Sequence, residues 1–548
     1  MTQNASFIRK IAYGCAIVLL LFPIFLLGQP ATSSSGGGDA QGSRGSGGGV
    51  LAQMRSRYGL SQAELGTIDP ASETMKMATL GLRGVATNIL WTKANSYKRR
   101  ESWDKLSATL NQIAKLQPNY ITVWEFQAHN LSYNVSAEFD NYRHRYHWVK
   151  KGIDFLMEGT QYNQRSPRLF WNLGWFVGHK IGIADEREQF REMFRHDEDF
   201  HNAMRDHINV NNARGPDGYP DNWLIGYLWY LQSQAVVEKG VPVTWMRVDL
   251  DKKGYTDKRR SSVIFYSDPG MALISHARDA TEDFLPGEKT RNAWRRAGEE
   301  WEDFGAMDIT TSWGHTIRLN ALDQYRERAE SMRAELEELV PGGREKLLAQ
   351  RRDSLTPEER EAYDSDVPWT EMEQEQLDAK ASATEKMMMI TDLDVAELAP
   401  ESVRRKARYY ANQSEEAKLY VRRTESYRSQ VNYPYWKTRC EVEQSKVTAD
   451  ARRLMRTADT AAEEGDPEGA RGLYEQAWNE WTKVFDEYPE LIHDEMAEDL
   501  AEVIMRYRMV LDELDEEFPS DFKLQALLEA QQQKGKLTIP SGSSTPDE

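Results

Sequence analysis

Cysteine is almost absent from this sequence, which has only Cys15 and Cys440 among 548 residues. Two cysteines cannot build a disulfide framework or a four-cysteine zinc site. Cys440 stands between Arg439 and Glu441, whose opposite charges act in opposite directions on a thiolate. We interpret Cys440 as a partly buried structural thiol, because no second group beside it would activate it.

An excess of basic residues is also lacking. The sequence has 69 lysines and arginines against 87 aspartates and glutamates, which gives a formal net charge of −18 at pH 7. Nucleic-acid phosphates require a concentrated basic surface, so we predict that nucleic acid is not a partner. With 40% hydrophobic residues the chain can bury a core, and its length predicts about three or four domains of roughly 150 residues each.

No coherent catalytic motif is present. The sequence has no Gly-x-Ser-x-Gly nucleophile elbow, the motif that exposes the serine of many hydrolases. Gly287 to Thr290 does not form a phosphate-binding loop, because Glu288 separates the glycine from the lysine. The sequence therefore predicts no cofactor and favours binding over catalysis.

An uncharged apolar run extends from Ile11 to Leu27, directly after Arg9 and Lys10. About 17 apolar residues are at the short end of what crosses a bilayer, and the basic flank predicts a cytoplasmic N-terminus. A cleaved signal peptide is the alternative, although residues 28–31 (Gly-Gln-Pro-Ala) offer no Ala-x-Ala site. We predict a single-pass anchor in the inner (cytoplasmic) membrane with the bulk of the chain extracytoplasmic, in the periplasm. The predicted segments are a cytoplasmic tip at 1–10, a signal anchor at 11–28 and a flexible Gly/Ser linker at 29–50.

From residue 51 onward the apolar residues recur with helical spacing, which predicts an all-α fold. Three segments combine such spacing with a small residue or a terminating proline. They are Leu106, Leu110, Ile113 and Pro118; Phe170, Leu173, Gly174 and Val177; and Gly465, Asp466, Ala470, Tyr474 and Ala477. These spacings resemble the tetratricopeptide repeat (TPR), a pair of helices in about 34 residues. The resemblance implies a TPR-like α-solenoid at 51–310 and again at 431–530, although no strict period survives and a different α-solenoid stays open.

The anchor and the helical repeats together also resemble uncharacterised membrane-anchored envelope proteins of planctomycete-type bacteria. The segments that carry this resemblance run from Leu80 through Trp91 and from Val431 through Glu443. The resemblance implies a place in the bacterial envelope and no particular reaction.

Two regions interrupt the repeat pattern. Residues 241–267 alternate in a β-like manner and predict either a small β-hairpin or a long ordered loop. Residues 311–430 are rich in charge and predict a helical hairpin, in which 371–398 folds back on a heptad seam; an intermolecular coiled coil is the alternative. The seam residues are Leu322, Tyr325, Ala329, Met332, Leu336 and Leu339. The tail at 531–548 has the composition of a disordered segment.

Tryptophan is abundant, with 16 in the chain. Large aromatic side chains dominate both helix packing and protein interfaces. If part of this set lines a concave groove, it would receive a segment of an envelope protein. The candidate partner-binding residues are Trp124, Trp171, Trp175, Trp223 and Trp229.

The ten histidines are the first place to look for a metal. Glu198 with His201, and Glu490 with His493, form Glu-x-x-His pairs like those of di-iron helical bundles. With 87 acids in 548 residues, however, one or two such pairs arise by chance. We therefore predict no metal site. If a metal were bound, the candidates would be His144, His147, His196 and His201.

Taken together, these features favour a membrane-tethered, extracytoplasmic helical-repeat scaffold or adaptor that binds other proteins. Two alternatives stay open. One is a metal-dependent enzyme with a histidine and acid site between helices, and the other is a purely structural spacer.

Overall fold

The computed structural model describes residues 83–241, 243–249, 254–259, 262–283, 287–311, 314–388 and 390–534. Within these ranges the chain forms 21 α-helices and two short two-stranded sheets, which confirms the prediction of an all-α protein. None of the helices in this part of the chain is both long and apolar enough to cross a bilayer. The predicted anchor (11–28) and linker (29–50) lie outside the described residues, as does the tail from 535 onward.

The helices of the first half are short and are joined by short connections. They are α1 (Arg83–Arg99), α2 (Trp103–Leu116), α3 (Ile121–His129), α4 (Tyr142–Tyr162), α5 (Pro167–Trp175), α6 (Arg187–Arg195), α7 (Glu198–Met204), α8 (Asn222–Glu238), α9 (Ser262–Asp283) and α10 (Glu288–Ala306). Two π-helical segments extend α3 and α5 directly, π1 (Asn130–Val135) and π2 (Phe176–Lys180).

The second half contains the longest helix. Its α-helices are α11 (Leu322–Leu339), α12 (Gly343–Asp353), α13 (Pro357–Asp364), α14 (Gln374–Met388), α15 (Asp392–Glu397), α16 (Glu401–Gln430), α17 (Tyr433–Glu443), α18 (Lys446–Glu463), α19 (Pro467–Glu487), α20 (Glu495–Glu513) and α21 (Gln525–Gln533). Short 3₁₀ turns occur at Val210–Ala213, Leu319–Ala321, Trp369–Glu371 and Pro489–His493. The strands are β1 (Thr244–Asp249), β2 (Gly254–Arg259), β3 (Ile309–Thr310) and β4 (Thr316–Ile317).

The described residues divide into two compact units. The first takes those of Met1–Arg260, Asp268–Ala297 and Glu443–Glu548, and the second takes those of Ser261–Ser267 and Gly298–Val442.

In the first unit, neighbouring helices pack pairwise: α1 on α2, α3 on α4, and α5 on α8. The apolar spacing in α2 explains its place, because Leu106, Leu110 and Ile113 are fully buried. Helix α2 ends at Leu116, just before Pro118, a residue that cannot continue a helical hydrogen-bond ladder.

The pair formed by α5 and α8 is unusually close. A Cβ atom added at Gly174 would lie 2.8 Å from the Tyr230 ring and 2.9 Å from the backbone oxygen of Gly226. Both distances are below ordinary carbon contacts, so only glycine fits at this crossing. This agrees with the sequence interpretation of Gly174 as a residue that lets two helices approach.

A second helix pair, α18 and α19, lies near the C-terminal end of the described chain. Gly465 turns the backbone between the two helices with φ of 82°, a conformation that glycine adopts at little cost. Asp466 then caps α19 by accepting a hydrogen bond from the Gly469 amide. Ala470 and Tyr474, predicted as packing positions, are buried.

Within the predicted interruption at 241–267, β1 and β2 form an antiparallel hairpin, with Thr244 opposite Arg259 and Asp249 opposite Gly254. A hairpin is therefore present rather than a long loop, but the second strand was predicted in the wrong place. Residues 262–267, interpreted as β-like, begin helix α9 instead.

In the second unit, α11 packs along α16. The sequence interpretation had assigned this role to 371–398, but α14 in that range packs on α13 instead. The predicted seam is present on α11, where Leu322, Ala329 and Leu336 are buried. The helix that faces it was predicted wrongly. The facing helix contributes small buried residues rather than a bulky apolar stripe. They are Ala407, Ala411, Ser414 and Ala417.

A buried carboxylate joins the helices of the second unit. Asp392, at the start of α15, accepts hydrogen bonds from Ser414 Oγ at 2.5 Å and Lys418 Nζ at 2.6 Å, and it pairs with Arg344. Burial alone would raise the pKa of Asp392, but the bonds from Lys418 and Ser414 outweigh it and hold the pKa below its usual value. A buried ion is tolerated here because its charge is fully compensated.

We expect Gly174→Ala to lower the free energy of unfolding by about 1–3 kcal/mol, since the added methyl group overpacks the crossing of α5 and α8. The matched control is Gly472→Ala in α19, where no atom lies within 4 Å of an added Cβ. That substitution should stabilise the chain by about 0.5–1 kcal/mol. Urea denaturation of the full-length chain, followed by circular dichroism, measures both. Equal effects of the two substitutions would contradict the close crossing.

Candidate partner-binding face

The two π-helical segments lie next to each other in the first unit. π1 continues α3 and π2 continues α5. The rings of Tyr133, on π1, and Phe176, on π2, meet at a centroid distance of 6.1 Å. Single π-helical turns inside α-helices are uncommon and are frequent at functional sites. Two of them in contact make this region the first candidate for a site.

Tyr133 is the centre of a group of stacked rings. Its ring stacks on His129 with centroids 4.5 Å apart and on Trp175 at 6.4 Å. Trp175 in turn stacks on His179 at 5.2 Å. These separations are those of favourable aromatic pairs. His129 is exposed, and the other three side chains are half-buried, so the stack presents a ring surface to solvent.

The same surface continues toward α1. Phe126, one helical turn before His129, contacts Trp91 of α1 with ring centroids 5.8 Å apart. Trp91 also contacts the exposed Tyr120 at 5.9 Å. Residues of α1, of α3 with π1, and of α5 with π2 therefore contribute to one surface. We call it the aromatic face, formed by Trp91, Phe126, His129, Tyr133, Trp175 and His179.

Two lysines lie over rings of the aromatic face. Lys180 Nζ is 4.2 Å from the centroid of Tyr133, and Lys98 Nζ is 4.8 Å from the centroid of Phe126. Both distances fall within the range of cation–π attraction. The two ammonium groups are thereby held on the surface rather than left to move freely in solvent.

The ionisable rings of the face are neutral near pH 7. The imidazole of His129 is partly desolvated where it stacks on Tyr133, and this desolvation, together with the charges of Lys98 and Lys180, lowers the pKa of His129 below its ordinary value of 6.5. Burial likewise lowers the pKa of His179 and raises the pKa of Tyr133 to about 12. The positive charge of the face therefore comes from its two lysines.

Of the five tryptophans predicted to bind a partner, Trp175 belongs to the aromatic face. Trp223 touches its edge, since its ring meets His179 at 5.3 Å, but Trp223 is only 3% exposed. Its indole Nε1–H donates to Asp279 at 2.7 Å. Trp223 thus supports the face from below and is not open to a partner.

The other three tryptophans do not lie on the face. Trp124 is buried between α3 and α4, where its ring meets Phe155 at 4.6 Å, and Trp229 is fully buried against Phe170. Trp171 is half-buried, and its Nε1–H donates to Asp268. The assignment of Trp124 and Trp229 to partner binding is corrected: both are core residues, because a buried indole cannot contact a partner without unfolding its surroundings.

The four candidate histidines are not assembled into a site. His144 and His147 are exposed on α4, and His196 is exposed and pairs with Glu192 at 3.1 Å. His201 is 3% exposed, and burial lowers its pKa to about 4. Among the described residues, no group of three or more His, Cys, Asp or Glu side chains is placed to hold a metal ion.

A second polar cluster surrounds the start of α8. Asp221 caps this helix by accepting from the amides of Trp223 and Leu224, and His276 Nδ1 lies 3.1 Å from its Oδ1. An Asp and His pair is one element of several catalytic sites. The cleft beside this pair, however, leaves no space for a water molecule, so a substrate has no room next to His276.

Arginines neutralise the remaining carboxylates of this cluster. Arg191, 5% exposed, contacts Asp279 at 3.3 Å and Asp283 at 2.5 Å. Arg195 contacts Asp283 at 2.6 Å and Asp217 at 3.3 Å. The contacts tie α6, α9 and the segment before α8 together. We therefore interpret the cluster as a structural clamp.

Comparison with protein-family models and with curated proteins finds no match for the sequence. No residue role is therefore transferred from a relative. The resemblance to tetratricopeptide repeats stays a prediction, and function is inferred from the geometry of the aromatic face.

The sequence interpretation missed His129, Tyr133, Lys98 and Lys180. A signal was available, because His129 and Tyr133, like Trp175 and His179, stand four residues apart, and side chains at this spacing meet on a helix. The π-helical turns that bring the two pairs together leave no comparable trace in the sequence.

Asp279 provides a test of the clamp. Burial raises its pKa from 3.8 to about 6, against the opposing effect of Arg191. The folded state therefore holds this proton more tightly than the unfolded state, so the contribution of Asp279 to stability falls as pH rises from 3.8 through 6. Relative to Asp279→Asn, we expect the wild-type free energy of unfolding to fall by about 2 kcal/mol between pH 4 and pH 7. Urea titrations at several pH values measure this difference. A difference that grows with pH would contradict the burial of this carboxyl group.

Proposed function

We propose that this protein is a membrane-tethered scaffold or adaptor of the bacterial envelope, whose aromatic face binds a segment of another protein. The observation that supports this most directly is the aromatic face itself, a partly exposed surface of contacting rings on α1, α3 with π1, and α5 with π2. The tether would be the apolar run at 11–28 with the Gly/Ser linker at 29–50.

The geometry of the rings suits a binding surface. Aromatic side chains have few rotatable bonds, and the stacks of His129 on Tyr133 and of Trp175 on His179 hold these rings in place before a partner arrives. A partner would therefore cause little loss of side-chain entropy on binding. Buried aromatic anchors of this type carry most of the affinity in many interfaces.

The repeat interpretation is consistent with this proposal. We propose that the helix pairs of the first unit form a degenerate tetratricopeptide-like array. In such an array the repeats stack on one another, and the equivalent helix of each repeat lines one extended surface. The aromatic face, drawn from α1, α3 with π1, and α5 with π2, has that arrangement.

The alternative hypothesis, a metal-dependent enzyme, is tested by measuring the metal content of the purified protein. Stoichiometric metal in the purified full-length chain, lost on His201→Ala, would favour a metal-dependent enzyme. A spacer would instead show no partner at the aromatic face at all.

The proposal is tested by site-specific crosslinking in native membranes. We expect a photoreactive benzoylphenylalanine at His129, which is exposed on the face, to form a discrete adduct with another envelope protein. The same group at Tyr409, 59% exposed on α16, should not form that adduct. The double variant Tyr133→Ala/Trp175→Ala should lower the adduct yield at least tenfold, because it removes both central rings.

Circular dichroism controls for the fold, because the double variant must keep the helical signal of the wild type for its loss of adduct to count. An equal adduct yield in the double variant with intact helices would contradict the proposed site. So would the same adduct from position 409.

A further inference from the structure

The charges on the aromatic face indicate what kind of partner it fits. We propose that the face binds an acidic segment of a partner protein, in which carboxylates pair with Lys98 and Lys180 while apolar side chains pack on the rings between them. This inference rests on the proposed function and specifies the chemistry of the partner.

The two lysines frame the centre of the face. Lys98 lies over Phe126 and Lys180 lies over Tyr133. His129 is three residues after the first of these rings and four before the second. The charge of each lysine acts on His129, so both ammonium groups are near this exposed side chain. A ligand that covers His129 therefore meets positive charge from both lysines.

Neither ammonium group forms an ion pair within the part of the chain that the structure describes. The charges of Glu186 and Asp185 act on Lys180, but neither carboxylate forms an ion pair with it among the described residues, and Glu186 pairs with Arg145. Both lysines are thus available to carboxylates from outside.

The charges closest to the aromatic face determine which ligands it prefers. At physiological ionic strength, charges farther away than about 8 Å are largely screened. The net charge of −18 therefore acts weakly on a ligand in contact with the face, whereas Lys98 and Lys180 act at contact distance. Complementary charge gives an interface selectivity and orientation, and the neutral imidazoles of His129 and His179 do not oppose it.

A single-stranded nucleic acid also stacks on aromatic rings, but it needs many cations along its backbone. The face supplies only Lys98 and Lys180. An acidic protein segment, with a few carboxylates spaced among apolar side chains, matches two lysines and a row of rings better.

The test is selection of random 12-residue peptides displayed on phage against the immobilised full-length chain. We expect the selected peptides to contain aspartate and glutamate at twice or more their frequency in the input library. This enrichment should be absent when the immobilised protein is the double variant Lys98→Gln/Lys180→Gln. It should persist on Lys93→Gln/Lys105→Gln, which removes the same charge from two other exposed lysines. The selected acidic peptides, made synthetically, should bind at least tenfold more weakly to the first double variant.

The outcomes separate this inference from the proposed function. Neutral apolar peptides that bind the wild type and lose binding on Tyr133→Ala/Trp175→Ala would overturn the acidic preference and leave the binding face intact. Peptides that bind the wild type and Tyr133→Ala/Trp175→Ala equally well would show that the aromatic face is not the binding site. Enrichment of basic residues, or displacement of the peptides by a single-stranded 12-nucleotide DNA at equal concentration, would overturn the inference. An enrichment that the control variant Lys93→Gln/Lys105→Gln also loses would overturn it as well, since it would then reflect net charge alone.

Discussion

One buried indole ring, that of Trp223, connects the aromatic face of the first unit to the charged clamp. Trp223 lies flat against the backbone of Gly178 and Gly182, where an added Cβ would come within 2.9 Å and 2.7 Å of the ring. One edge of the ring meets His179 of the aromatic face, and its Nε1–H donates to Asp279 of the charged clamp. The face and the clamp are therefore built on the same buried side chain, and any side chain larger than glycine at these positions would displace it.

This arrangement explains why a surface rich in aromatic rings can stay ordered in water. An exposed ring samples several rotamers unless contacts with its neighbours hold it in one of them. Here Trp175 and His179 are stacked on each other, and His179 rests on the buried Trp223. Arg191 and Asp279 in turn fix Trp223 through an ion pair and a hydrogen bond. The order of the face therefore comes from the core below it.

Sequence alone predicted those parts of the fold that depend on local chemistry. Gly465 and Asp466 specify a turn and a helix cap through their own backbone and side chain, so the pair they join could be inferred. The partner of α11 could not, because α16 buries alanines such as Ala407 and Ala411, whose small side chains make no apolar stripe among so many charges. Trp124 and Trp229 could not be told from surface tryptophans for a related reason: an indole ring packs in a core as readily as at an interface, and the structure leaves these two only 2% and 0% exposed.

The distribution of charge follows one rule in both units. Carboxylates that are buried are matched by cations, as Asp392 is by Lys418 and Glu443 is by Arg452, because an unpaired buried charge costs several kcal/mol. Pairing of this kind consumes many of the 69 basic residues in a chain that has 87 acids. Lys180 is placed differently. It lies over Tyr133, at the junction of the two π-helical segments, and it forms no ion pair among the described residues, so its cation–π contact is the interaction that holds it there.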